Sequence, residues 1–284
     1  MPSPKAWITG AGGLIGHHLL QSAPAYAPSW NVRGQTRRDF DLTDFESVRK
    51  AFERDQPELV IHCAAMSKSP VCEKEPALAH RINVEATSHL AELAANIPFV
   101  FFSSDLVFDG RQGNYDESAA PNPLSVYART KAGAERVVLT NPNHTVIRTS
   151  LNGGISPAGD RGFNEEIRRA WQEGRMLTFF TDEFRCPIPV VATARAVWEL
   201  VATNRPGLYH LAGAERLSRW QIGQLLATRW PQISPKMQPG SLKDYRGAPR
   251  SPDTSLNCAK IQKLLSFPLP AFTEWLAAHP KEPL

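Results

Sequence analysis

A tyrosine and a lysine, Tyr127 and Lys131, stand four residues apart in the segment LSVYARTK. On a helix that spacing puts both on one face, so the ammonium can lie beside the phenol and a bound ribose. The run Ser103-Ser104-Asp105 and a glycine-rich N-terminal turn accompany them. Together they read as a proton-donor site beside a nucleotide. The spacing alone is a weak signal, and its context gives it weight.

The glycine-rich turn is ITGAGGLIG, Ile8 to Gly16, between a strand-like and a helix-like run. Gly10, Gly13 and Gly16 suit a tight turn, a close approach of backbone to pyrophosphate, and helix-on-strand packing. Leu14 and Ile15 open the helix, whose N-terminal end favours an anion. Which dinucleotide fits depends on the end of the second strand, where a carboxylate would grip the ribose 2′-hydroxyl of NAD. No acidic residue occurs before Asp39, and the strand ends in Gln35-Thr36-Arg37-Arg38. Guanidiniums there suit a 2′-phosphate, so Arg37 and Arg38 favour NADP(H) as cofactor; the alternative is that both are solvated surface residues. Asp41 and Leu42 follow and could flank the adenine. Cys63, Ala64 and Ala65 end the next strand, where small residues let a cofactor pass close. His62 and Cys63 are adjacent at that strand end and point to opposite faces, so packing accounts for at least one of them.

These residues need a scaffold, and the pattern of the chain supplies one. Strand-like and helix-like runs alternate over 5–9, 13–22, 31–36, 44–55, 59–63, 77–96, 99–103, 123–139 and 145–149. That rhythm predicts an α/β fold, a doubly wound, Rossmann-like parallel sheet. The continuous apolar runs at 59–61 and 99–102 suit strands covered on both faces. Thr43 with Glu46 reads as a capping box, and Pro76 and Pro123 as first-turn prolines. Past Thr149 the texture turns to short elements rich in Pro and Arg. The reading is a dinucleotide-binding domain at 1–150, with 179–211 returning to it, and a smaller C-terminal substrate lobe at 151–178 and 212–284.

The chain of 284 residues can bury a large core. Its net charge of +4 is spread without a long basic run, which argues against nucleic acid as a partner. Cys63, Cys72, Cys186 and Cys258 show neither metal-ligand nor disulfide spacing, so they read as free thiols and no metal is expected. No apolar run approaches the length of a membrane span, and the strand-like start leaves no room for a signal peptide; the expected location is cytoplasmic. The expected partner is a small-molecule substrate, with a homodimer left open.

The chain resembles the extended short-chain dehydrogenase/reductase superfamily, and within it the dTDP-4-dehydrorhamnose reductase family. The resemblance runs through the Gly10/Gly13/Gly16 turn, Asp41 to Asp44, Pro57 to Ala65, Arg81 to Val84, and Ser103 to Gly110. It continues through Tyr115, Glu117, Asn122 to Leu124, Tyr127 to Lys131, Arg148 to Ser150, Gly207 to Gly213, and Ser255-Leu256. It implies an NADPH-dependent 4-ketoreductase acting on a sugar nucleotide. Tyr127 would protonate the carbonyl oxygen, Lys131 would lower the tyrosine pKa and bind the nicotinamide ribose, and Ser104 would bind the carbonyl. Asn83 would help order the site, and Ser103 and Asn83 would count among the cofactor-binding residues.

On the substrate side, with Ser104 and Asp105, the chain departs from the family. Leu106 stands where Tyr is usual, Leu151 where Trp is usual, and Gly162 where Asn precedes Phe163. Arg185 replaces a glycine, and its two readings are a substrate-phosphate ligand or a surface arginine. Kept chemistry on a changed substrate is the implication. Two other activities fit the same resemblance: an NAD-retaining sugar-nucleotide epimerase or dehydratase, and a non-catalytic subunit resembling the methionine adenosyltransferase β subunit.

Overall fold

Apolar runs that alternate in side-chain direction build the centre of the molecule. In the computed structural model, which describes residues 3–282 and 284, the first half of the chain lays down β1 (Lys5–Thr9), α1 (Leu14–Tyr26), β2 (Asn31–Gln35), α2 (Phe45–Asp55) and β3 (Leu59–His62). There follow α3 (Ser69–Lys74), α4 (Pro76–His80), α5 (Ala86–Leu93), β4 (Phe99–Ser104), α6 (Val126–Val138) and β5 (His144–Thr149). Beyond these come β6 (Asn152–Gly153), α7 (Phe163–Gln172), β7 (Leu177–Phe180), β8 (Phe184–Arg185), β9 (Ile188–Pro189), α8 (Val190–Thr203) and β10 (Gly207–Leu211). The last elements are β11 (Leu217–Ser218), α9 (Arg219–Arg229), β12 (Met237–Gly240), α10 (Ala259–Gln262) and α11 (Phe272–Ala278).

The main sheet has six strands in the order β10-β5-β4-β3-β1-β2, every pair parallel. It is the doubly wound α/β fold. Side chains leave each strand alternately for two cores. Ile8, Leu59, Ile61, Val100 and Ile147 pack with α1 and α8 residues such as Leu19 and Trp198. Trp7, Val60, Phe99, Phe101 and Val146 pack with Val48, Leu90 and Val138 on the other face. A third core, built on Trp171, Phe179, Ile222, Trp230 and Phe272, holds the C-terminal elements together.

Three local expectations change. The N-cap of α2 is Asp44, which accepts from Ser47 N at 3.1 Å, so Thr43 and Glu46 form no capping box. Helix α6 starts two residues after Leu124, with Ser125 accepting from Ala128 N at 3.2 Å; Pro123 therefore lies in the approach and outside the first turn. The run 77–96 is not one α-helix, because a π-helical turn at Arg81–Glu85 separates α4 from α5.

What fixes α6 on the sheet is a buried ion pair. Glu135 of α6 meets Arg148 of β5 at 2.7 Å, with both side chains only 3% exposed, and Ser103 of β4 donates to the same carboxylate at 2.5 Å. Removing one member of such a pair strands the other charge without water. Arg148→Met is expected to destabilise the protein by about 3–5 kcal/mol in urea unfolding, and adding Glu135→Leu to recover much of that loss.

Candidate active site

The order of the sheet reverses between β1 and β3, and a crevice forms outside the carboxyl ends of strands at such a point. Here the glycine turn lies against the end of β3. Gly10 has φ 72°, and a Cβ on it would come within 2.6 Å of Ala64 N. A Cβ at Gly16 would come within 2.5 Å of Gly10 O, so α1 packs on the turn with no room to spare. Gly13 caps α1 without a side-chain bond, and no acidic residue stands in the first turn. The amides around Leu14 and Ile15 thus keep a positive dipole end open to an anion.

Arg37 and Arg38 lie exposed in the turn after β2, which Asp39 holds by accepting from Thr36 N and Oγ1 at 2.8 and 2.9 Å. Asp41 is engaged locally: Thr43 N and Oγ1 each donate to it at 2.8 Å and hold its pKa below the usual carboxylate range. Leu42 packs beside the Trp7 core. Cys63, Ala64 and Ala65 line the end of β3, half-buried, and burial pushes the Cys63 thiol pKa up.

Tyr127, Lys131 and Glu135 follow one another at helical spacing along α6, so anchoring Glu135 under the sheet directs the other two toward its carboxyl edge. Lys131 is 3% exposed, and its ammonium lies 4.0 Å from the centre of the Phe101 ring. Burial brings its pKa down to about 7, against the opposing pull of Glu135 and Cys63. For Tyr127 the expectation was a phenol acidified by Lys131, and the structure differs. Burial, then the Asp105 carboxylate, push the phenol pKa up, and the Ser104 hydroxyl is the group that favours its ionised form. The phenol therefore holds its proton until a stronger base forms beside it.

Asp105 is the most heavily engaged group at this edge. It accepts from Ser104 Oγ at 3.1 Å, Ser150 Oγ at 2.8 Å and Thr254 Oγ1 at 2.9 Å. Ser103 turns the other way, to Glu135, so its hydroxyl is not directed at a cofactor. Asn83 is likewise spent on the protein: its amide takes Met66 N at 2.8 Å and gives to Met66 O at 3.0 Å and Thr130 Oγ1 at 2.9 Å. Its place is behind the site, ordering the loop after β3 against α6.

Arg185 corrects both of its readings. It is 4% exposed, which excludes a surface arginine. Its charge is committed to Glu183 at 2.9 Å, with Asp105 at 3.7 Å, so it is not a free phosphate ligand. Leu106 follows Ser104 and Asp105 in the turn after β4, and Leu151 follows Ser150, which bonds Asp105, and packs against the third core. Both are half-buried. In place of an asparagine at Gly162, Asn164 bonds Gly154 in both directions, at 3.2 and 2.8 Å.

A cavity of about 720 Å³ opens in the C-terminal elements, walled by Phe163, Phe180, Arg169, Arg219, Tyr245 and Arg250 among others, and no sequence motif announces it. Tyr127 and Lys131 are not in its wall, but Arg219 and Tyr127 share Asp105 as an electrostatic neighbour. Arg250 is bound twice to Glu183, at 2.7 and 2.8 Å. Arg219 and Arg169 have no carboxylate at ion-pair distance among the described residues. A signal existed for Glu183 with Arg185, two residues apart on an extended segment and so on one face; none existed for Arg219, which opens α9 behind an ordinary Ser218–Gln221 capping box.

A family model described as the RmlD substrate binding domain matches residues 5–282. The chain belongs to that family. It is similar to a dTDP-4-dehydrorhamnose reductase from Clostridium acetobutylicum, at 25% identity and a TM-score of 0.86, covering 96% of this chain and 97% of that one. It is similar also to one from Bacillus anthracis in complex with NADP, at 23% identity, a TM-score of 0.87 and 97% and 98% coverage, a likeness of fold. The methionine adenosyltransferase 2 subunit beta of Xenopus laevis is 28% identical over 93% of this chain and 83% of its own length.

Among the described residues of this family member, no group of His, Cys, Asp and Glu side chains could hold a metal ion. Among the described residues, no helix is long and apolar enough to cross a membrane.

The buried Lys131 yields a signed pH dependence. The unfolded chain keeps the lysine proton up to the ordinary value of 10.5, whereas the folded protein releases it above about 7. Folding therefore sheds a proton in this window, and the Lys131 contribution to stability rises with pH between about 7 and 10.5 and is flat below. Comparing urea midpoints of wild type and Lys131→Met at pH 7.5 and 9.5 should show wild type gaining stability relative to the variant as pH rises, the raised thiol pKa values being common to both.

Proposed function

We propose that this protein is an NADPH-dependent reductase of a 4-keto sugar nucleotide or a closely related carbonyl compound. The observation that carries the reading is the one edge of the sheet at which the glycine turn, Ser104, Tyr127 and Lys131 converge. The two cradle conditions for a dinucleotide, a turn with no space for a Cβ and an open helix N-terminus, are both present. The residues that would hold NADPH are Gly10, Gly13, Leu14, Ile15 and Gly16 at the pyrophosphate, Arg37 and Arg38 at the 2′-phosphate, Ala64 and Ala65 along its length, and Lys131 at the ribose.

Bound NADPH supplies a hydride to the carbonyl carbon. Ser104 would orient the carbonyl oxygen by turning its one hydroxyl proton from Asp105 onto that oxygen. As negative charge grows on that oxygen, Tyr127 gives up its proton, and Lys131 sets a positive charge beside the phenolate that remains. The phenol's firm hold on its proton suits it to act as acid only when charge develops, a bond strongest in the transition state. The cavity in the C-terminal lobe supports the nucleotide part of the reading. Its volume suits a nucleotide-sized ligand, it offers aromatic walls in Phe180 and Tyr245, and Arg169 and Arg219 leave two cations for phosphates. Leu106, two residues after Ser104, would set an apolar contact near the reacting carbon.

One observation favours a second reading, the likeness to subunits named methionine adenosyltransferase 2 beta, over nearly the whole chain. A regulatory subunit would bind the dinucleotide and reduce nothing. Tyr127→Phe separates the two readings: turnover of a keto-sugar nucleotide is expected to fall by about 10²–10⁴-fold with NADPH affinity nearly unchanged. An undiminished rate would remove Tyr127 from the acid role. For the cofactor, Arg37→Ala with Arg38→Ala is expected to weaken NADPH far more than NADH in titration calorimetry. Equal losses would mean that neither guanidinium reads the 2′-phosphate.

A further inference from the structure

His62, at the end of β3, has no part in the chemistry above, yet it stands at a junction. It is fully buried, and both ring nitrogens are engaged: Nδ1 meets Thr9 Oγ1 at 2.6 Å and Nε2 meets Thr87 Oγ1 at 3.0 Å. Thr9 is the last residue of β1 and is followed directly by Gly10, the left-handed residue of the nucleotide turn. On the other side, Thr87 donates to Asn83 O at 2.8 Å. From Asn83 the amide reaches Met66 and Thr130, and Thr130 donates to Tyr127 O at 2.7 Å. The Phe101 ring that carries the Lys131 ammonium also stacks on the imidazole, with 5.8 Å between centroids and 24° between planes.

The directions of these bonds are fixed by counting protons. Thr87 has a single hydroxyl proton and spends it on Asn83 O, so His62 must donate from Nε2. A neutral imidazole then has only a lone pair on Nδ1, and Thr9 must donate to it. The ring is neutral because burial, with the nearby Lys131 charge, brings its pKa down to about 3. The π-helical turn at Arg81–Glu85 belongs to the same network, since Asn83 lies in it. Such turns are rare inside α-helices and frequent at functional sites.

We propose that His62 is a positioning residue that couples the cofactor turn to the catalytic helix, through Thr9 on one side and through Thr87, Asn83 and Thr130 on the other. The inference rests on the dinucleotide reading of the Gly10 turn. Occupancy of that turn would then be felt at Tyr127, and a change behind Tyr127 would be felt in cofactor affinity, the two being one coupling.

A double-mutant cycle tests it. Thr9→Val and Thr87→Val are made singly and together, and the Kd for NADPH is measured by titration with no second substrate. If His62 joins them, breaking one end leaves the other with less to lose, and the double variant weakens NADPH by at least about 3-fold less than the product of the two single factors. In a His62→Phe background that shortfall is expected to vanish. Factors that simply multiply in the wild-type background would overturn the proposal, because a merely structural histidine gives independent losses. A second measurement needs no cofactor and no variant: nitrogen-15 NMR of histidine-labelled wild type should show His62 neutral with the proton on Nε2. A proton on Nδ1 would reverse the chain of donors and sink the coupling even if NADPH binds, whereas absence of NADPH binding with the Nε2 tautomer intact would count against the dinucleotide reading instead.

Discussion

The Glu135–Arg148 ion pair, shut between α6 and the sheet, is the contact on which the site depends. A helix lying on a sheet can slide or roll with small changes in apolar contact, because hydrophobic packing has little direction. A bidentate guanidinium–carboxylate pair has direction and length. Fixing Glu135 to β5 and to Ser103 of β4 sets the roll of α6, and one and two turns earlier that roll presents Lys131 and Tyr127. Burying the pair carries a cost in desolvation that an apolar substitute would avoid. What the protein gains is a tyrosine and a lysine held at one place over the carboxyl edge.

The same economy of position appears around Asp105. Three hydroxyls and one guanidinium converge on a single carboxylate. Its partners come from β4, from the chain just past β5, from β8 and from the segment before α10, so Ser104 is tied into both the sheet and the C-terminal elements. Burial then works on Tyr127 and Lys131 in opposite senses, holding the phenol protonated and loosening the lysine proton. In the proposed reaction they would be the proton donor and the positive charge beside a carbonyl oxygen that turns negative.

Much of this was legible in the sequence, and the reasons are physical. Strands β3 and β4 are nearly uninterrupted apolar runs, and the helices of the first half carry ordinary periodicity, so the doubly wound sheet follows from pattern alone. Tyr127 with Lys131 needed only helical spacing. The errors fall where partners are distant in sequence. The π-helical turn is invisible to periodicity, because it is held by Asn83 reaching Met66 and Thr130. Arg185 is the exception: its partner Glu183 stands two residues away on one face of an extended segment, and what its neighbours do not show is the burial imposed by the distant Ser251 and Asp105. A phenol acidified by Lys131 is what the likeness implies, and it takes no account of the burial, and after it the Asp105 carboxylate, that push the Tyr127 pKa up. The cavity in the C-terminal lobe comes from short elements whose packing no local signal announces.

The central claim is that this edge of the sheet moves a hydride and a proton to a carbonyl. The most direct measurement uses NADPH carrying deuterium at the transferring face of its nicotinamide, incubated with the protein and a 4-keto sugar nucleotide, with the product read by mass spectrometry. The account predicts one deuterium retained at the former carbonyl carbon per NADPH consumed. Tight binding of NADPH with no label in the sugar and no cofactor oxidised, across a panel of keto-sugar nucleotides, would contradict it.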